Sequence, residues 1–104
     1  MSAERPFRPK TPAGIAFAIR DLVLLRAWAE WRGLRMDVAL DHVSGELEYE
    51  ELVGLYAPGA LVPTWVLWRS IDAVMVEGLH ARPEPFRSVS GALEALSQPV
   101  KPRA

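Results

Sequence analysis

The sequence predicts an α/β domain of the α+β kind: a small mixed sheet of three to four strands with helices packed on it, in the order helix, strand, helix, hairpin, helix. Three observations carry that reading. Residues 34–41 alternate apolar and polar side chains at period two. Two β-rich runs, 63–68 and 73–77, flank a short polar turn. The remaining segments repeat their apolar residues at helical spacing.

Taken in order, residues 1–10 hold two prolines and three cations and read as a flexible tail. Thr11 and Pro12 supply a helix start, because threonine can cap free amides and proline tolerates the first turn. The helix is expected to run to Trp31, with Gly33 ending it. Ile15, Phe17, Leu22, Leu24, Leu25 and Trp28 cover more than half of its circumference, more than one sheet needs. A second helix or a partner chain is therefore expected against the surplus. Asp21 falls within that apolar arc, where a carboxylate needs a partner or water.

Met36, Val38 and Leu40 mark one covered face of the first strand. Ser44 and Gly45 break it. Tyr49, Leu52, Val53 and Tyr56 then recur at i, i+3, i+4 and i+7, which predicts a short second helix stopped by Pro58 and Gly59. Residues 63–68 and 73–77 form the predicted hairpin, with Arg69, Ser70, Ile71 and Asp72 as its loop. Since the first strand reaches this hairpin through a helix, a parallel neighbour with a right-handed crossover is expected. Val89, Leu93 and Leu96 share one face of a last helix capped by Ser88 or Ser90. The single globular domain is thus expected over 11–98, and 99–104 is a second flexible tail.

Composition excludes several functions. Half of the residues are apolar and the formal net charge is -1, which gives no field to attract nucleic acid. Arg20, Arg26, Arg32 and Arg35 are interleaved with Asp21, Glu30 and Asp37, the pattern of a solvated helix face. The absence of cysteine removes disulfides, thiolate nucleophiles and thiolate metal ligands. The first helix carries Arg20, Asp21, Arg26 and Glu30 inside its apolar run, so no membrane span is expected, and the charged, proline-bearing start predicts a cytoplasmic address. His42 and His80 have no metal-ligand spacing. The acidic run Glu46, Glu48, Glu50 and Glu51 suits a helix N-terminus. No catalytic residue and no cofactor are expected.

The four tryptophans stand out. Trp28 and Trp31 belong to the first helix. Trp65 and Trp68, three apart on a strand, point to opposite faces, so one of them faces away from whatever covers the other. An exposed aromatic of this kind is typical of a binding surface or subunit interface.

The runs GLRMDVALD, EYEELVGLYAPGALVPTWVLW and DAVMVEG resemble the thioredoxin-like fold, most of all the N-terminal domain of glutathione transferases and glutaredoxins. The resemblance spans about residues 12–97 and its pointed motif is APGALVP. It implies a cis bond between Val62 and Pro63 offering backbone hydrogen bonds to a peptide or glutathione, with Glu77 and Gly78 at the glutamyl end. Thr11 would stand where the family has its catalytic Cys, Ser or Tyr, so redox activity is absent. The family's first strand would fall within 5–9, where Pro6 and Pro9 remove ladder donors.

Two functions follow. The first is a non-catalytic interaction or assembly module, joined to itself as a homodimer or to another protein through Trp28, Trp31, Trp65 and Trp68. The second is a small-molecule or peptide binder using Thr11, Val62, Pro63 and Glu77.

Overall fold

The computed structural model describes residues 16–42 and 49–98. Its elements are α1 (Ile19–Trp31), β1 (Arg35–His42), β2 (Tyr49–Tyr56), β3 (Trp65–Arg69), β4 (Val74–Gly78), β5 (Glu84–Phe86) and α2 (Val89–Ser97). The strands form one five-stranded sheet in the order β1-β2-β3-β4-β5, and every neighbouring pair is antiparallel.

This corrects the expected mixed, thioredoxin-like sheet in α-β-α-β-β-α order. The chain runs α-β-β-β-β-β-α, because residues 49–56 form a strand where helical spacing predicted a helix. Their apolar residues satisfy both periods. As a strand, Glu51, Val53 and Leu55 turn to one face while Leu52, Gly54 and Tyr56 turn to the other. Tyrosine and valine favour strands, and Gly54 would weaken a helix by about 1 kcal/mol. Eight cross-strand pairs with β1, from Arg35 opposite Tyr56 to His42 opposite Tyr49, decide the matter. The parallel crossover disappears with the helix, since sequential strands joined by short connections pair antiparallel.

The first helix also starts later than expected. Ala16 to Ala18 are not helical, and Phe17 is buried ahead of α1 with its N–H donating to Glu51 Oε1 at 2.8 Å. The predicted start at Thr11 and Pro12, and the tails 1–10 and 99–104, lie outside the described residues. At the other end the helix closes as the sequence predicts. Gly33 takes a left-handed φ of 74°, the Gly33 N–H donates to Glu30 O, and the Leu34 N–H reaches back to Ala29 O at 2.8 Å.

β3 and β4 form the predicted hairpin, displaced by one residue. Arg69 opposes Val74, and Ser70 closes the loop through its N–H and hydroxyl to Ala73. In α2, Ser88 is the cap and its hydroxyl accepts from the Gly91 N–H at 3.0 Å.

Both helices pack on one sheet face. The core joins Leu25, Trp28 and Ala29 of α1 to Val89, Ala92 and Leu93 of α2 over Val53, Leu55, Leu67, Val74 and Val76. Trp28 is its pin: the ring meets Trp65 edge to face at 5.8 Å, and its Nε1–H donates to Ser97 Oγ at 2.8 Å. None of the described helices is long and apolar enough to cross a membrane.

Candidate interaction surface

The core residues of α1 lie on one side of the helix, with Leu22, Leu25, Trp28 and Ala29 turned to the sheet and to α2. At 100° per residue the opposite side carries Ile19, Val23, Ala27 and Trp31, spaced i, i+4, i+8 and i+12. That side is bare: Ile19 is 80%, Val23 62% and Trp31 73% exposed. The charged residues flank it, and Arg26 and Glu30 pair with each other at 3.4 Å.

Further exposed apolar side chains lie on β1, across a crevice lined by Arg26 and Glu30. Met36, Val38 and Leu40 share the helix-bearing face of β1, opposite Leu55, Val53 and Glu51. α1 covers Met36 in part but leaves Val38 46% and Leu40 64% exposed. These exposed residues are not those of the apolar arc read from the sequence, of which Phe17, Leu25 and Trp28 are buried in the core and Leu22 packs against it; among the described residues nothing covers the exposed ones.

The four tryptophans separate. Trp28 is buried in the core and Trp65 packs against it, so these two are pieces of the interior. Trp68 is half-buried on the helix-free face opposite Met75. Trp31 is exposed on the bare side of α1. The helix-free face also holds Tyr56, whose ring lies across Gly54: a β-carbon at Gly54 would stand 2.8 Å from Tyr56 Cε1. Arg35 stacks over that ring at 4.3 Å and pairs with Asp37 at 2.6 Å, so this end of the face is occupied by its own side chains.

Of the residues proposed for ligand binding, Val62 and Pro63 lie in the connection before β3 and Glu77 on the neighbouring β4. Thr11 lies outside the described residues. Val62 is exposed and Pro63 half-buried in the connection before β3, and the bond between them is trans, which corrects the expected cis bond. Glu77 is exposed on β4, opposite Val66.

One further concavity deserves comparison. Arg20, Asp21, Arg69, Asp72 and Arg87 line a cleft of about 280 Å³ beside Ser88. Its three guanidinium groups face two carboxylates, so the charge nearly cancels, and the Ser88 hydroxyl already takes one of the first amides of α2. Asp21, flagged by the sequence, is half-buried at its rim. Among the described residues no three His, Asp or Glu side chains cluster as a metal site. His80 is exposed in the β4–β5 connection. Comparison with protein-family models, curated proteins and solved structures returns no match, so no relative assigns chemistry to any of these surfaces.

Proposed function

We propose that the chain is a non-catalytic assembly module that joins a second copy of itself through the bare side of α1 and the adjoining face of β1. The observation that carries this reading is the exposure of Ile19, Val23 and Trp31 along α1 and of Val38 and Leu40 on β1. Together these five side chains expose on the order of 600 Å², close to the roughly 800 Å² per partner that a standard interface buries.

Two features favour a second copy over a different protein. The stripe is symmetric about residue 25, so a reversed copy places Ile19 against Trp31 and Val23 against Ala27, as a two-fold interface requires. The formal net charge of -1 adds almost no repulsion between copies.

The test is light scattering over a hundredfold concentration range with the full chain and with Val23→Glu. The unaltered chain is expected to reach twice its 11.6 kDa mass. The variant is expected to stay monomeric with its thermal unfolding unchanged, because Val23 is 62% exposed. A monomeric mass at every concentration overturns the reading.

A further inference from the structure

We infer that the second copy joins edge to edge, β1 against β1, so that two five-stranded sheets become one continuous sheet with a two-fold axis through Val38 and the two α1 helices side by side above it. This rests on the self-association proposed above and specifies its geometry.

The first support is the edge itself. β1 is the outermost strand, and all eight of its residues pair with β2 without a bulge. Its other side therefore presents an uninterrupted row of backbone N–H and C=O groups, which among the described residues pair with no strand. Such a row is a template for another strand. The stretch Arg35–His42 contains neither proline nor lysine, two residues that commonly block an edge.

The second support is self-complementarity in a single register. An antiparallel pair centred on Val38 sets Met36 against Leu40 and Val38 against itself, an apolar row on the helix-bearing face. On the other face it sets Arg35 against Asp41, which are opposite charges, and Asp37 against Ala39. Centring on residue 37 would set Asp37 against Asp37, and centring on residue 39 would set Asp37 against Asp41. Like charges directly opposite are destabilising, and half-step registers would bring apolar residues opposite polar ones, so residue 38 is the favoured centre.

The third support comes from α1, independently of the strand. Ala29 and Met36 line the same crevice, and α1 and β1 are joined by the short 32–34 turn, so they run antiparallel. Two strand residues onward from Met36 cover about 6.7 Å, which is about four and a half helix residues at 1.5 Å each. Val38 therefore lies abreast of about residue 25, and residue 25 is the centre of the Ile19–Trp31 stripe. α2 occupies the far side of α1, where Trp28 and Arg32 reach Ser97 and Leu96, and the side of α1 toward the open edge carries Arg26 and Glu30, which line the crevice beside Met36.

The experiment uses the absence of cysteine. Val38→Cys and Leu40→Cys are each introduced into the full chain, oxidised under identical mild conditions and read on a non-reducing gel, beside light scattering of the unaltered chain. At the axis the two Cα atoms of residue 38 stand about 5 Å apart, within disulfide reach, whereas those of residue 40 stand about 14 Å apart. Val38→Cys is expected to cross-link at least about tenfold faster, since only it meets the geometric range for a disulfide. Both positions are exposed on the edge strand, so neither change threatens the fold. A dimeric mass with no cross-link at 38, or with equal cross-linking at 40, overturns the edge geometry and leaves self-association standing. A monomeric mass throughout overturns both.

Discussion

The two edges of the sheet are built on opposite plans. β5 is three residues long, has Pro85 at its middle and Pro83 immediately before it, and is followed at once by α2. Proline supplies no ladder donor, and a short strand offers little to pair with, so this edge is closed to other chains. β1 is eight residues long, regular, free of proline, and carries exposed Val38 and Leu40. Among the described residues this edge is left open in a sheet whose other edge is guarded, and such a difference marks the side where association is tolerated. The difference also gives the assembly an end: pairing through β1 uses up the open edge and leaves the two guarded β5 edges outermost, so the product is a closed dimer rather than a fibre.

The largest expected effect comes from Val38→Lys. It sets two ammonium groups opposite each other at the axis, and like-charge juxtaposition costs several kcal/mol, so the dimer is expected to weaken about a hundredfold or more. Sedimentation equilibrium measures this, and an unchanged dissociation constant would place the interface elsewhere. The stability of the monomer should shift by less than about 0.5 kcal/mol, since the side chain is already half in water.

On the guarded side, Ser88→Ala removes the cap of α2, which packs on β4 and β5. A lost cap costs about 1 kcal/mol, seen as a lower urea midpoint, while the dimer mass should stay as it is. Loss of association in this variant would mean that the β5 side, too, supports the interface.

The smallest effect is expected from Pro85→Thr, which restores an N–H to β5. Mass should remain that of the dimer, and stability should stay within about 0.5 kcal/mol, because the strand is short and Pro83 persists. Species larger than a dimer would show that Pro85 alone is the guard.

How much of this was readable in the residues varies by element. The strand at 34–41 was legible because its alternation has only one structural meaning. The hairpin was legible because β-branched and aromatic residues flank a polar turn, and α2 because Ser88 precedes an apolar helical face. Residues 49–56 were misread as a helix because Tyr49, Leu52, Val53 and Tyr56 fit a helical repeat while the same eight residues also split cleanly between two sheet faces. The weight of Gly54 and of two tyrosines against a helix was the available signal. The apolar arc read on the first helix is mostly spent on the core, through Phe17, Leu25 and Trp28, and the exposed Ile19, Val23 and Trp31 lie outside it.

The tryptophans show where such reading stops. Trp28 and Trp31 sit three residues apart on one helix, about 60° apart around it, and nothing local distinguishes them; α2 covers one and leaves the other 73% exposed. Likewise, composition alone established the lack of thiol chemistry and the near-neutral charge, and local pattern established β1, the hairpin, the Gly33 stop and the Ser88 cap, because each depends on neighbouring residues only. The identity of β2, the all-antiparallel order, the open edge and the bare side of α1 were decided by the tertiary structure, because each depends on which distant segment lies alongside and which surface is left with nothing against it.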